Sequence, residues 1–220
     1  MIAVLTTPRL TTSYLARTLA GIDASARSTN KVVVCDGEVP VLPAGWRAEP
    51  FVRPVPYPHN KWAAWRAFDL AVEAGEDLTL FEDDLSLCKN AAFVIENYVV
   101  PDDIAFMLFY APWSGPPAIW RAHINAYVFA QCLRFPLRSL KTLCALRPQM
   151  EACRLGGSDE VIKAVTMPLN WFWGVHKPGL VQHIGADSAV GNGLLRGTRI
   201  SQDYPGDTFD ALSLRRDHYY

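Results

Sequence analysis

Residues 78–85 have the sequence LTLFEDDL, in which three acidic residues directly follow an apolar segment. The apolar residues 78–81 have the composition of a strand that is buried on both faces of a parallel sheet. The first polar residues after such a strand emerge at the carboxyl edge of the sheet, where open α/β sheets bind their ligands. We therefore expect Glu82, Asp83 and Asp84 to lie at a ligand-binding edge of an α/β fold.

Three consecutive carboxylates repel one another, and the repulsion becomes costly in a partly desolvated cleft unless a cation neutralises it. A divalent metal ion bound at this edge would remove the cost. A solvated acidic turn, which needs no ion, is the alternative interpretation.

The pattern before the acidic run alternates strands and helices. Residues 2–5 and 31–35 read as buried strands on either side of a helix that is capped by Ser13 and ends near Ile22, and this arrangement predicts a βαβ unit that feeds a parallel sheet. Four prolines between residues 49 and 58 exclude a central strand there and predict an extended loop. A helix that starts at Lys61 and stops at Gly75 then leads into the acidic strand.

The acidic run resembles the Asp-X-Asp signature of glycosyltransferases with the GT-A fold, in its Glu-Asp-Asp form. In this resemblance Asp84 is similar to the metal-binding carboxylate, and Glu82 to the carboxylate that faces the ribose or sugar of the donor. Asp83 would point away from the ion or contact the residues that bind it. The resemblance covers residues 1–190 by the order of the motifs, and it implies a single-domain, GT-A-like (Rossmann-like) α/β fold with a mixed, mostly parallel sheet flanked by helices.

A second segment, LGGSDEVI at residues 155–162, is similar to the Gly-Gly-Glu-Asp segment in which inverting GT-A enzymes carry their general base, although Ser158 departs from that pattern. The resemblance makes Asp159 the first candidate for the base and Glu160 the second. Helix capping is the alternative: Ser158 would be the N-cap of a helix over residues 159–165, with both carboxylates stabilised in its first turn.

A third segment, PGLVQHIG at residues 178–185, resembles the late Gln-His-Ile/Val-Gly segment of some GT-A families, in which the histidine lies close to the metal and the diphosphate. By this resemblance His183 joins Asp84 as a ligand of Mn²⁺, or of Mg²⁺; a mixed nitrogen and oxygen set suits manganese. A structural histidine on a short strand is the alternative interpretation.

In the resembled fold the nucleotide lies across the loops that follow the first strands. The candidate donor contacts are therefore Thr6, Thr7 and Arg9 after the first strand, Asp36 after the second, and Lys61 at the start of the later helix. Glu82 and Asp83 of the acidic run belong to the same donor-binding set. The pair Asp36 and Gly37 is equally typical of a plain turn, and Lys61 of an ordinary surface lysine.

Length and composition set the limits of the prediction. With 220 residues, of which 50% are hydrophobic, the chain can form one sizeable core. We predict a catalytic domain over residues 1–190 and a C-terminal tail, residues 191–220, that orders over the active site. The five cysteines form no Cys-X-X-Cys pair, which favours reduced thiols over a disulfide framework or a zinc site. Without an apolar stretch long enough to cross a bilayer or a signal-peptide pattern, the sequence predicts a cytoplasmic protein, of a bacterium or of a virus-infected cell.

The function that the resemblance implies is a metal-dependent glycosyltransferase of the hexosyltransferase type, which moves a sugar from a nucleotide-sugar, with UDP-sugar as the expected donor, to an acceptor hydroxyl. The acceptor would be a glycan, a protein or a hydroxymethylated base in viral DNA, a form of DNA modification; the net charge of −1 provides no global attraction to nucleic acid. A noncatalytic sugar- or nucleotide-binding domain is one alternative. A nucleotidyltransferase is another, but it normally has a glycine-rich loop after the first strand, and residues 6–13 contain no glycine.

Overall fold

The fold is described from a computed structural model, which describes residues 1–7, 14–51, 61–111, 118–126, 130–153, 157–185 and 200–214. The strands and α-helices are, in chain order, β1 (Ile2–Thr6), α1 (Leu15–Asp23), β2 (Lys31–Asp36), β3 (Trp46–Phe51), α2 (Lys61–Ala74), β4 (Leu78–Glu82), β5 (Leu85–Leu87), α3 (Ala91–Glu96), β6 (Met107–Leu108), β7 (Ala118–His123), β8 (Cys132–Phe135), α4 (Leu137–Ala145), α5 (Arg147–Ala152), α6 (Ser158–Thr166), β9 (Phe172–Lys177) and β10 (Val181–His183).

Eight of the described strands form one sheet in the order β3-β2-β1-β4-β8-β6-β9-β7, and β5 pairs with β10 in a separate two-stranded ladder. The pairs β1–β2, β2–β3, β1–β4 and β6–β9 are parallel, whereas β8 is antiparallel to both β4 and β6, and β7 is antiparallel to β9. Six strands therefore point in one direction and two in the other. The predicted fold class, an α/β fold with a mixed, mostly parallel sheet flanked by helices, is confirmed.

The chain reverses its direction of travel across the sheet at β1. It moves from β1 to β2 and β3 on one side and returns to β4 on the other side of β1. Such a reversal leaves a crevice at the carboxyl ends of the two central strands, because the connections on either side diverge there. The crevice lies between the ends of β1 and β4, where the acidic run begins.

The proline-rich segment differs in part from its prediction. Residues 49–51 complete β3 instead of belonging to a loop, and Pro50 lies within the strand. Because β3 is the edge strand of the sheet, a residue without an N–H can occupy it at little cost. Residues 52–60, which include the remaining prolines, lie outside the described part of the chain.

The core follows the continuous apolar strands and the aromatic face of α2. Trp65 and Phe68 of α2 are fully buried, and the ring of Phe68 contacts that of Phe135 on β8 at a centroid distance of 5.1 Å. All five cysteines are free thiols. Burial raises the pKa of Cys88 to about 12, so this thiol remains protonated near neutral pH.

His176 on β9 is buried in the neutral form, and this leads to a prediction about acid stability. The ring lies 5.1 Å from that of Phe109, and Nδ1 is 2.8 Å from the carbonyl oxygen of Pro178. Burial lowers the pKa of His176 from 6.5 to about 4, so between these values the unfolded chain binds a proton that the folded chain does not. This residue should therefore destabilise the fold progressively as the pH falls below 6.5, by about 3 kcal/mol at pH 4.

The matched variant is His176→Asn, in which the amide can still donate to Pro178 but does not titrate. Urea unfolding of both proteins at pH 7.5 and pH 4.5 should show a smaller loss of unfolding free energy in the variant. An equal loss in the two proteins would contradict this assignment.

Candidate metal centre

The end of β1 brings the predicted donor contacts to the acidic run. In the parallel registers, Leu5 lies opposite Glu82 and Thr6 opposite Cys35, so the residues that follow these pairs emerge at the same edge. Thr6, Thr7 and Asp36, all half-buried, therefore lie at the same edge as Glu82. Their roles as donor contacts stay predictions. Arg9 lies outside the described residues.

The backbone turns sharply between β4 and β5, and a buried threonine of α1 holds the turn. The hydroxyl oxygen of Thr18 accepts a hydrogen bond from the N–H of Leu85 (3.0 Å) and lies 2.8 Å from the carbonyl oxygen of Asp83. The hydroxyl of Thr6 donates to the buried carboxylate of Asp83 at 2.6 Å. Asp83 is thus bonded to the end of β1, and its neighbour Asp84 is fixed in place by the same turn.

The two-stranded ladder brings His183 to Asp84. His183 lies opposite Leu85 in the pairing of β10 with β5, and the next N–H, of Ile184, donates to the carbonyl oxygen of Asp84 at 2.8 Å. As a result, Nε2 of His183 lies 3.0 Å from Oδ2 of Asp84, and the exposed fractions of the two side chains are only 6% and 5%. Two segments that are distant in the sequence thereby form one site.

Gly185 allows this close approach. A Cβ atom at this position would lie 2.2 Å from Oδ2 of Asp84 and 3.1 Å from Cε1 of His183. The first distance is far below van der Waals contact, so any side chain at residue 185 would displace the carboxylate. The glycine that closes the PGLVQHIG segment is needed to accommodate the side chains of Asp84 and His183.

Glu82, Asp84 and His183 together form a possible set of metal ligands. One ligand atom from each residue lies within 4.8 Å of the other two. Two carboxylates and one imidazole are donors that Mn²⁺ and Mg²⁺ accept, with the imidazole favouring manganese. Asp84 and His183 were predicted as ligands, whereas the sequence assigned Glu82 to the donor; the geometry places its carboxylate among the candidate ligands as well.

The glycine provides a sharp test of this geometry. Gly185→Ala should raise the dissociation constant for Mn²⁺ by about 10- to 100-fold, the range typical of changes in the residues that orient metal ligands. The matched control is Gly21→Ala in α1, where a Cβ atom would be at an ordinary distance of 3.4 Å from Leu87. Manganese titration monitored by electron paramagnetic resonance would measure both, and wild-type affinity in Gly185→Ala would contradict the proposed close packing.

The two candidate bases lie in the first turn of α6. This helix begins at Ser158, not at Asp159, and its N-cap is Gly157, so the alternative interpretation that made Ser158 the N-cap is wrong. Ser158 is buried as the first helical residue, and the carboxylate of Glu160 reaches back to accept a hydrogen bond from the N–H of Gly157 at 3.4 Å. The N–H of the N-cap residue therefore has a hydrogen-bond partner, Glu160, within the first turn of the helix.

We expect the start of α6 at the same edge of the sheet as the acidic run. The helix leads into β9, which runs in the same direction as β4, and a helix that leads into a parallel strand ordinarily runs back from the carboxyl edge of the sheet. Asp159 is half-buried there, and its Oδ1 accepts a hydrogen bond from the N–H of Glu160 at 2.9 Å. The catalytic roles of Asp159 and Glu160 stay predictions.

Lys61 has a different position from that of an ordinary surface lysine. The side chain is buried, and its Nζ donates to the carbonyl oxygen of Cys153 at 2.7 Å. This bond joins the first residue of α2 to the chain just after α5, four residues before the N-cap of α6. A contact of Lys61 with the donor stays a prediction.

No family model and no curated protein sequence matches the chain. Among solved structures, the chain is similar to one described as a glycosyltransferase involved in the glycosylation of the major capsid of PBCV-1, with 13% sequence identity over 86% of this chain and 94% of that chain and a TM-score of 0.46. So distant a likeness does not bear on activity or on the roles of residues. None of the helices in the described ranges is long and apolar enough to cross a membrane.

Proposed function

We propose that this chain is a metal-dependent glycosyltransferase that transfers a hexosyl group from a nucleotide-sugar to an acceptor hydroxyl. The observation that carries the proposal is the convergence of Glu82, Asp84 and His183 at the reversal point of the sheet. A metal site at this place lies where α/β folds bind nucleotides. Metal-assisted departure of a diphosphate needs a metal ion and a nucleotide bound next to each other. The resemblance of the three sequence segments to GT-A enzymes agrees with this assignment.

The donor would lie across the ends of β1, β2 and β4. Hydroxyl and carboxylate groups of Thr6, Thr7 and Asp36 surround this edge and can hydrogen-bond to the base and ribose of a nucleotide, with UDP as the nucleotide that we propose. Glu82, Asp84 and His183 would hold Mn²⁺ or Mg²⁺. When bound, such an ion neutralises the negative charge that develops on the departing diphosphate.

The acceptor would be activated from α6. In an inverting reaction the acceptor oxygen bonds to the anomeric carbon, the bond from that carbon to the diphosphate oxygen breaks, and the acceptor proton moves to a carboxylate oxygen. We assign that carboxylate to Asp159, which is the first candidate by the sequence resemblance and is half-buried, whereas Glu160 is exposed. A retaining enzyme would not require this base.

A donor screen tests the proposal. The purified protein would be incubated with a panel of nucleotide-sugars with and without Mn²⁺ or Mg²⁺, and release of the nucleoside diphosphate would be measured, with Asp84→Asn purified in parallel as the control for contaminating hydrolases. We expect slow, metal-dependent release from one donor, with UDP-sugars as the leading candidates. Binding of a donor without release under any condition would favour a noncatalytic binding domain instead.

An acceptor screen would follow with the donor so identified. Its three arms are oligosaccharide glycans, proteins and DNA that contains hydroxymethylated bases. The arm that accelerates diphosphate release and gains the labelled sugar identifies the acceptor class. If no arm gains the sugar although the donor is hydrolysed, the transfer activity proposed here would be wrong.

A further inference from the structure

Residues 200–214, here termed the bracing segment, contact both strands of the ladder that brings His183 to Asp84. We infer that the bracing segment positions the metal centre, with Gln182 and Asp207 as the residues through which it acts. The inference rests on the proposed function, since it concerns the same metal site. It assigns these residues to support of the ligands and not to contact with the ion.

Gln182 joins β10 to the bracing segment through its side-chain amide. Its Oε1 accepts hydrogen bonds from the N–H of Ser201 at 2.8 Å and from the N–H of His183 at 3.1 Å, and its Nε2 donates to the carbonyl oxygen of Ser201 at 3.4 Å. The amide of Gln182 thus pairs with the N–H and the carbonyl oxygen of Ser201, as the backbone of a neighbouring strand would. Because one of these bonds goes to the backbone of His183, the amide restrains the residue that carries the imidazole.

Ser201 is itself fixed by the body of the fold. It is buried, and its hydroxyl donates to the carbonyl oxygen of Ala111 at 2.9 Å. The hydroxyl oxygen of Ser201 also accepts a hydrogen bond from the N–H of Ala111 at 3.3 Å. Gly179 provides the space for this contact, since a Cβ atom there would lie 2.5 Å from the Ser201 hydroxyl. Gln182 is therefore bonded to a residue, Ser201, that is itself hydrogen-bonded to the body of the fold.

Asp207 joins the other strand of the ladder to the same segment. Its Oδ2 accepts a hydrogen bond from the hydroxyl of Ser86 on β5 at 2.8 Å and one from the guanidinium of Arg17 on α1 at 3.1 Å. Its carbonyl oxygen also accepts from the N–H of Lys89 at 3.0 Å. The bracing segment therefore contacts β5 as well as β10.

The register of the ladder explains how these contacts support the metal centre. Gln182 lies directly opposite Ser86, and the next pair is His183 opposite Leu85. Side chains alternate between the two faces of a ladder, so the Gln182–Ser86 pair and the His183–Leu85 pair point to opposite sides. The bracing segment is bonded to one face, and the imidazole extends from the other towards Asp84.

The ladder needs such support because it is short. Each strand has only three residues, and an isolated two-stranded ribbon is at best marginally stable in water. Contacts from outside the ladder must hold the two strands together. Loss of the Gln182 or Asp207 contacts would let the strands separate, which would increase the distance between His183 and Asp84.

The test is the affinity for Mn²⁺ alone in three variants, measured by electron paramagnetic resonance, with circular dichroism to confirm the fold. Gln182→Leu and Asp207→Ala should raise the dissociation constant by about 10- to 100-fold, the typical effect of removing support behind metal ligands. Asp207→Ala changes a residue whose side chain is 54% exposed, so it should fold even if Gln182→Leu does not. Asp210→Ala is the control: Asp210 also belongs to the bracing segment, but its carboxylate contacts Asn90 at 2.9 Å and Lys89 at 3.5 Å, beyond the ladder.

The outcomes separate the inference from the proposed function. Weakened Mn²⁺ binding in Gln182→Leu and Asp207→Ala, with wild-type binding in Asp210→Ala, would support the inference. Wild-type affinity in the first two variants, or an equal loss in all three, would overturn it and leave the metal site standing. Absence of Mn²⁺ binding by the wild-type protein would instead overturn the metal site and the inference with it.

Discussion

Replacement of Asp159 by asparagine is expected to lower turnover by about 100- to 10,000-fold, the range for loss of a positioned general base, while donor affinity stays unchanged. The amide cannot take the acceptor proton, but it keeps the size of the side chain and an oxygen that can accept from the N–H of Glu160. Steady-state transfer and donor titration would be measured on the same preparation. This effect assumes an inverting reaction.

Glu160→Gln is the comparison that separates chemistry from helix capping. Because the carboxylate of Glu160 accepts from the N–H of Gly157, loss of its charge should lower stability by about 0.5 to 1 kcal/mol and leave turnover per folded molecule nearly intact. Thermal unfolding would be recorded beside turnover for both variants. Full activity in Asp159→Asn would mean that the base lies elsewhere or that the reaction retains configuration.

Asp84→Asn is expected to abolish the metal-dependent part of donor binding. A neutral amide is a poorer ligand than a carboxylate and does not compensate the charge of the ion, and the position is nearly inaccessible to water that could substitute for it. Titration calorimetry with a UDP-sugar should show binding that no longer responds to Mn²⁺.

Two further variants complete this comparison. His183→Ala should weaken the metal response less than Asp84→Asn does, because carboxylate and phosphate oxygens can still hold the ion. Asp102→Asn makes the same chemical change at a fully exposed carboxylate, 103% accessible, and should bind the donor like the wild type. An unchanged metal response in Asp84→Asn would refute the site assignment.

The central part of the fold could be predicted because its strands are continuous apolar runs. Residues 2–5, 31–35 and 78–81 are each uninterrupted or nearly so, and their burial on both faces follows from that composition. Strand β8 was missed because Arg134 interrupts its apolar pattern. The structure buries this guanidinium by bonding it to Asp77 at 3.1 Å and to the hydroxyl of Thr79 at 3.2 Å, partners that only the antiparallel pairing with β4 provides.

Residues of the candidate site could be predicted from the sequence, but the ladder that brings them together could not. The acidic run and the late histidine could be identified because each belongs to a short continuous pattern in the sequence. The ladder that joins them could not be, because three-residue strands carry too little pattern and their partner is set by tertiary packing. The position of Glu82 beside Asp84 and His183 likewise depends on where the turn after β4 directs each carboxylate.

The binding of a metal ion between Asp84 and His183 can be tested by the anomalous X-ray signal of manganese in crystals of the wild-type protein grown with Mn²⁺ and UDP. We expect an anomalous peak in contact with a carboxylate oxygen of Asp84 and with Nε2 of His183, with the diphosphate of UDP on the same ion and the nucleotide across the ends of β1 and β4. UDP bound at this edge without a manganese peak, or a peak away from these two side chains, would contradict it.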